Sequence, residues 1–221
     1  MDENDGFKDK TLHVNWRIPK WFPELSQEKR DLLQKFLYEL IHFNGRMNLI
    51  SARTEKEADR IHFADCILGG QLIFKDNPIK EVYDIGSGNG LPGIIFAILY
   101  PERNFILVEK DARKAEFLKH CSSRLSLKNV AVRQCRLEDI PESSIESAVS
   151  RAFASLSKAL ISSRRQCKKG CLYYHFKGES WPTEVAQMPT QLCSFWEPSL
   201  LGSYTLPETS TELSIVVAKR I

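Results

Sequence analysis

A chain of 221 residues with 43% hydrophobic and 27% charged content suits one compact α/β domain with a short N-terminal extension, and a core of that size needs no disulfide or metal staple. The 31 basic and 28 acidic residues leave a formal net charge of +3, so total charge neither demands nor excludes a nucleic-acid partner. Met1–Lys10 is charged without an apolar stretch and no apolar run reaches the length of a membrane span, so a cytoplasmic protein without leader or membrane segment is expected.

Residues 1–25 are polar with Trp16, Pro19, Trp21, Phe22 and Pro23 embedded, which reads as an arm lying on the domain surface. Ser26 caps a helix whose stripe is Leu32, Leu33, Phe36, Leu37, Leu40 and Ile41, and Asn44-Gly45 ends it. Thr54 and Glu57 have capping-box spacing for a second helix reaching to about Gly69. These elements form an N-terminal arm and helical extension over 1–70. A single compact unit is expected over 71–221.

From there strands near 81–85, 105–109, 130–135, 146–150, 171–176, 192–197 and 213–218 alternate with helices over 92–100, 112–125 and 155–167, and a shorter helix follows Trp181. This alternation predicts a seven-stranded, mostly parallel sheet with right-handed crossovers and helices on both faces, a Rossmann-like arrangement. The last two strands, joined by a Pro/Gly/Ser-rich stretch, form an antiparallel hairpin at one edge. The six cysteines are scattered and read as free thiols. Cys167-Lys-Lys-Gly-Cys171 is too widely spaced for a zinc knuckle and has no second pair, so no metal site is expected.

The most informative stretch is Val82-Tyr-Asp-Ile-Gly86-Ser-Gly88-Asn-Gly90-Leu-Pro-Gly93. A strand runs into a glycine-rich turn, and a helix opens at Pro92. In an open α/β sheet this turn faces the ligand crevice. Gly88 to Gly93 also matches the dinucleotide pattern, but there the first glycine follows the strand directly, as Gly86 does here. Asp84 would crowd a pyrophosphate and suits a ligand carrying an ammonium group, which favours S-adenosylmethionine. Glu109, ending the second strand, can accept both ribose hydroxyls of either cofactor.

After the fourth strand stands Ser150-Arg151-Ala-Phe153. The Asp/Asn-Pro-Pro-aromatic turn of enzymes that methylate exocyclic amines is absent, and so is a Pro-Cys dipeptide of the cytosine-C5 type. Both absences favour a ring nitrogen as acceptor. Phe153 can stack on a splayed base or pack in the core. His62 and Asp65, three apart on one helical face, read first as a helix-to-sheet contact and second as a substrate contact. Three basic groups are visible: Lys110, Arg113, Lys114 and Lys119; Arg133 and Arg136; and Arg164, Arg165, Lys168 and Lys169. With Asn44, Arg46, Asn48 and Lys177 they form either a solvated face or the rim of a phosphate-binding surface.

The loop Asp84–Gly93, together with Ser150-Arg-Ala-Phe-Ala-Ser155, Phe176-Lys-Gly178, Phe43-Asn44, Asn48-Leu49, His62 and Asp65, resembles the bacterial small-subunit (16S) ribosomal RNA guanine-N7 methyltransferases, the glucose-inhibited-division protein B type. The resemblance covers about residues 26 to 219. It implies a class I S-adenosylmethionine-dependent methyltransferase fold and methylation of a guanine N7 in the decoding-region loop of 16S RNA, alone or in the small subunit; a monomer is expected. It also implies that Gly86, Leu91, Leu137, Glu138 and Arg151 hold the methyl donor, alongside Asp84, Ser87, Gly88, Gly90 and Glu109 from the loop and second strand. Asn44, Asn48, His62, Phe153 and Lys177 are the expected substrate contacts. Arg151, the expected catalytic residue, can grip the donor carboxylate or the guanine O6. Two positions depart from the family pattern: Ile61 stands where an arginine usually precedes the histidine, and Leu137-Glu138 where Ala-Glu is usual.

Overall fold

The computed structural model describes residues 13–221, so the first twelve residues of the expected arm lie outside it. A one-turn helix, α1 (Ile18–Trp21), begins with Pro19 in its first turn and buries Ile18. Ser26 then caps α2 (Gln27–Met47), its hydroxyl accepting from the Lys29 N–H. The helix does not stop at Asn44-Gly45. It runs on to Met47 and an Asn48 cap in the left-handed conformation at φ 49°. The Asn44 amide is buried and spent elsewhere: it donates to Glu55 and accepts from the Ile50 N–H, so it ties down the loop after the helix.

The expected capping box is not formed. Thr54 Oγ1 donates to the Ser51 carbonyl and meets His62 Nε2 at 3.0 Å, while Glu57 is drawn to Arg17, Asn15 and Arg60. The second helix instead opens with a π-helical turn, Asp59–Ala64, which continues into α3 (Asp65–Phe74) beyond Gly69. Asp59, fully buried, accepts from the backbone N–H and the guanidinium of Arg17. The arm thereby clamps the start of this helix.

The sheet is built from β1 (Glu81–Ile85), β2 (Asn104–Val108), β3 (Val130–Arg133), β4 (Ile145–Arg151), β5 (Cys167–Lys177), β6 (Trp196–Thr205) and β7 (Glu212–Arg220), in the order β3-β2-β1-β4-β5-β7-β6. The first five are parallel; β7 inserts between β5 and β6, antiparallel to both. Strands β1, β2, β3, β4 and β5 alternate with α4 (Gly93–Leu99), α5 (Ala112–Arg124) and α6 (Leu156–Ser163), and two short helices, α7 (Trp181–Ala186) and α8 (Thr190–Cys193), precede the hairpin. Among the described residues no helix is long and apolar enough to cross a membrane.

Each face of the sheet has its own core. One gathers Phe36, Leu40, Phe63, Ile67, Ile94, Phe96 and Phe105, so α2 and α3 share it with α4. The other gathers Tyr83, Ile85, Leu156, Leu160, Tyr173 and Trp196 under α6. Along β1, Val82 belongs to the first and Tyr83 and Ile85 to the second, as the two-residue strand period requires. Two expected boundaries move. Residues 190–193 are helical and the sixth strand begins at Trp196, because this is an exposed edge strand, interrupted by Pro198 and a register shift at Leu200/Gly202, that carries little alternation to read. The fifth strand begins at Cys167, not 171, with a register shift against β4 at Ile145/Ser147.

Candidate active site

The strand order reverses at β1: β2 lies to one side and β4 to the other. A crevice opens at such a point, outside the carboxyl ends of the strands. Here it is a cleft of about 610 Å³, bordered by the turn after β1, the end of β2, the segment after β3 and the end of β4.

The turn after β1 supplies Gly86 and Gly88 to the wall. Gly86 has φ 72°, and a Cβ there would lie 2.3 Å from the Phe153 ring, so only glycine allows both the turn and the ring above it. Gly93 solves a different problem. A Cβ there would meet Leu107 at 2.3 Å and Asp84 Oδ2 at 2.5 Å; without one, its N–H reaches Asp84 Oδ2 at 3.0 Å. Asp84 is thus a strap between β1 and the first turn of α4. It is buried and does not border the cleft, so the structure does not bring it to the expected ligand contact. Burial, opposed by the Gly93 hydrogen bond, pushes its carboxyl up to about 7.

Glu109 does face the cleft. Its Oε2 accepts the Gly88 N–H at 2.9 Å and its Oε1 the Asp111 N–H at 2.8 Å. Each carboxylate oxygen keeps further lone-pair capacity, so both can still accept a hydroxyl. Leu137 and Glu138, in a short turn after β3, complete the opposite wall. Ser87, Gly90 and Leu91 do not border the cleft. Ser87 Oγ donates to the Asp84 carbonyl, a Gly90 Cβ would press on Ile94, Phe36 and Leu118, and Leu91 is buried.

At the end of β4, Ala152 has φ 55°, a conformation unusual for a non-glycine residue, and it throws Phe153 back over Gly86, where the ring stays partly in solvent. Arg151 points the other way, into a buried network. Its Nε donates to Asp65 Oδ2 at 2.6 Å, and its Nη2 donates to the Ile61 carbonyl at 3.1 Å and to His62 Nδ1 at 3.0 Å. Tyr204 from β6 donates to Asp65 Oδ1 at 2.6 Å. Burial, with Arg151 beside it, pushes the His62 imidazole down to about 3, so it is neutral. His62 is therefore the helix-to-sheet contact and not a wall of the cleft.

The other expected substrate contacts are not brought to the cleft. Asn44 is buried in its loop, Asn48 caps α2, and Lys177 donates to Glu184 Oε2 at 2.7 Å, the same oxygen that accepts the Leu156 N–H. Leu49 and Asn89 do border it, linked by the Asn89 side chain donating to the Leu49 carbonyl. Of the basic groups, Lys110, Lys114 and Arg136 line the cleft, and Arg113 reaches the Arg46 carbonyl beside it. The group at 164–169 sits at the start of β5, whereas Arg151 ends the parallel strand β4. It therefore lies at the opposite end of the sheet, with Arg165 on Glu142, Lys168 on Glu146 and Arg164 stacked 3.8 Å over Phe195. That group is no rim of this site.

The arrangement fits S-adenosylmethionine: a glycine turn without obstructing Cβ atoms, an acceptor at Glu109 for two hydroxyls, and an apolar Leu137 wall for a flat ring. Comparison with known proteins points the same way. The family model described as rRNA small subunit methyltransferase G (GidB) matches residues 29–198. The chain is 46% identical over 209 residues, 94% of it and 95% of its relative, to "Ribosomal RNA small subunit methyltransferase G 3" of Bdellovibrio bacteriovorus. It is 32% identical to "Ribosomal RNA small subunit methyltransferase G" of Colwellia psychrerythraea, covering 89% and 91%. In fold it resembles precorrin-6y C5,15-methyltransferase from Geobacter metallireducens (TM-score 0.52, 12% identity, 71% and 87% covered) and geranyl diphosphate methyltransferase in complex with SAM (TM-score 0.52, 13% identity, 77% and 90% covered).

Proposed function

The chain belongs to the rRNA small subunit methyltransferase G family, and from that membership and the cleft we infer that it transfers a methyl group from S-adenosylmethionine to guanine N7 of 16S ribosomal RNA. The observation that carries this reading is the cleft itself, in which Gly86, Gly88, Glu109, Leu137 and Glu138 meet at the switch point of a methyltransferase-ordered sheet. The cofactor supplies an electrophilic methyl group on a sulfonium. The chain's part is to hold the base in line with that methyl and to keep water out.

The acceptor fits what the site lacks. Guanine N7 offers a lone pair in the ring plane and has no proton to lose. The segment at the end of β4 that borders the cleft, Arg151, Ala152 and Phe153, carries no acid or amide to take a proton from an amine; the acids on the cleft, Glu109 and Glu138, come from beyond the ends of β2 and β3. We place the target in the decoding-region loop and the enzyme, as a monomer, in the cytoplasm, where the small subunit is available. Lys110, Lys114 and Arg136 are the phosphate contacts beside the cleft, with Arg46 and Arg113 extending them.

Calorimetry with S-adenosylmethionine, its demethylated product and NAD tests the donor. Binding of the first two is expected, weakened in Glu109→Ala because a charged acceptor is removed from two hydroxyls, each worth about 1.5–3 kcal/mol. NAD binding without S-adenosylmethionine binding overturns the reading. Mapping the nucleotide that loses its 7-methyl group in cells without the protein tests the substrate.

A further inference from the structure

We infer that Leu49 and Phe153 form an apolar clamp for the target guanine, with the Phe153 ring against one face of the base and the Leu49 side chain against the other; the inference rests on the guanine-N7 reading above.

Both jaws stand on the turn after β1. Phe153 hangs over Gly86, where the missing Cβ makes room for its ring, and Ala152 at φ 55° turns it there. Three residues further along the same turn, the Asn89 carboxamide donates to the Leu49 carbonyl at 3.0 Å. The Asn89 oxygen accepts the Leu91 N–H at 3.1 Å, and the Ile50 N–H beside Leu49 is held by Asn44 at 2.8 Å. Leu49 is therefore fixed to the glycine turn although it belongs to the helical extension. Behind the other jaw, Glu184 accepts the Leu156 N–H at 2.8 Å and pairs with Lys177 at 2.7 Å, so the chain after Phe153 is tied as well. Leu49 and Phe153 both border the cleft.

The large aliphatic side chains that otherwise line the cleft, Ile85, Val108 and Leu137, come from the core under α6. Leu49 belongs to the core on the other face of the sheet, and Phe153, 39% exposed, belongs to neither. A ring held in solvent by an unfavourable backbone conformation adds little to the fold, and such strain is characteristic of a ligand site.

The donor does not account for this pair. With its ribose hydroxyls on Glu109, its flat ring lies against the neighbouring wall of Val108 and Leu137. Its other end carries a carboxylate and an ammonium, which need polar partners. Arg151, at the end of β4, can hold the carboxylate; Leu49 and Phe153 can hold neither group. A purine, by contrast, offers two apolar faces. Stacking grips it by those faces and leaves its edge uncovered, so N7 is free to meet the methyl group. Bases splayed from single-stranded RNA are held by aromatic side chains in this way.

The test is single-turnover methyl transfer to small subunits from cells without the protein, beside calorimetry with S-adenosylmethionine and its demethylated product. Phe153→Ala should slow transfer about 10- to 100-fold, the loss expected for one stacked base, with both dissociation constants unchanged. Phe153→Leu, which keeps apolar bulk without the ring, should remain slow, and Phe153→Tyr should restore most of the rate. Leu49→Ala should slow transfer at unchanged donor affinity, which also reports that the variant is folded. A second measurement needs no variant: subunits carrying 6-thioguanine at the position the wild type methylates are irradiated with the protein and the demethylated product. The crosslinked peptides should contain Leu49 and Phe153, and crosslinks confined to other segments overturn the clamp. A Phe153→Ala variant that transfers at the wild-type rate overturns it too. So does one that loses affinity for S-adenosylmethionine but not for the uncharged demethylated product, because the ring would then face the sulfonium as a cation–π partner. If the wild type forms 7-methylguanosine and the Phe153 variants match it, only this inference fails; if it forms none, the guanine-N7 reading fails and takes the inference with it.

Discussion

Arg151 at the end of β4 and Asp65 at the start of α3 meet at 2.6 Å, Nε to Oδ2, across 86 residues of sequence. The pair is largely withdrawn from solvent, with side-chain exposures of 15% and 6%. It joins the helical extension to the sheet at the mouth of the cleft, so the extension is part of the site's geometry.

Removing one partner of a buried pair leaves the other charge uncompensated, at a cost of about 3–5 kcal/mol, whereas removing both can be far milder. Asp65→Ala should therefore lower unfolding stability by about that amount. Asp65→Ala with Arg151→Met should recover part of it. Urea unfolding of the two single variants and the double variant measures the coupling. Additive effects would mean that the pair contributes nothing of its own.

Two buried groups near the site should pull stability in opposite directions with pH. His62 titrates at about 6.5 in the unfolded chain and about 3 in the fold, so the unfolded state binds the extra proton between those values. Its contribution is fully present above pH 6.5 and is lost as pH falls. Asp84 has the reverse sign: unfolded near 3.8 and folded about 7, it favours the fold most below pH 3.8 and loses that contribution as pH rises to 7. His62→Gln should reduce the slope of stability against pH in the acid range by up to about 1.4 kcal/mol per pH unit. Asp84→Asn should remove a decline in stability between about pH 4 and pH 7. Thermal melts across pH 4.5–8 check both, and unchanged slopes would remove the pH linkage from these residues.

Much of this was legible in the residues. The glycine turn, Glu109 and the strand–helix alternation are local patterns set by backbone sterics and period, and they place the cleft. The side-chain partners were not legible, because they depend on tertiary geometry. Asp84 has the spacing of a ligand contact, but the two-residue period of β1 turns it beneath α4. Thr54 and Glu57 have capping-box spacing, but His62 and Arg17 take them first. Tyr204, 139 residues from Asp65, sits on an edge strand whose alternation is weak, and no sequence signal connects the two. The basic clusters look alike as text, and only strand direction separates the one at the cleft from the one at the far end.

That separation makes a salt experiment decisive. Replacing Lys110, Lys114 and Arg136 with neutral residues should flatten the slope of log RNA affinity against log salt by roughly 0.7–0.9 for each phosphate that is no longer neutralised. Replacing Arg164, Arg165, Lys168 and Lys169 should leave the slope unchanged. Filter binding to 16S RNA between about 50 and 200 mM salt distinguishes them. The reverse result would move the RNA surface to the start of β5 and away from the cleft.

The chemical step should require no protein general base. The nucleophile is a neutral ring nitrogen with a free lone pair: a nitrogen–carbon bond forms as the sulfur–carbon bond breaks, the base gains the positive charge, and no proton moves. The residues at hand agree. His62 is neutral but its Nδ1 is occupied by Arg151, and Asp84 is buried away from the cleft. Glu109 accepts two backbone N–H groups and lies across the turn from Phe153. What remains is positioning, which carries no titration of its own. Single-turnover methyl transfer measured from about pH 6 to pH 9, where the fold is intact, should be nearly flat for the wild type. Arg151→Ala should lie lower by a constant factor, because the hydrogen bond it removes does not titrate in this range. A wild-type rate rising about tenfold per pH unit to a plateau would show that a deprotonation is required. The acceptor would then carry a proton, guanine N7 would be excluded, and the search would turn to an amine or hydroxyl held near Glu138.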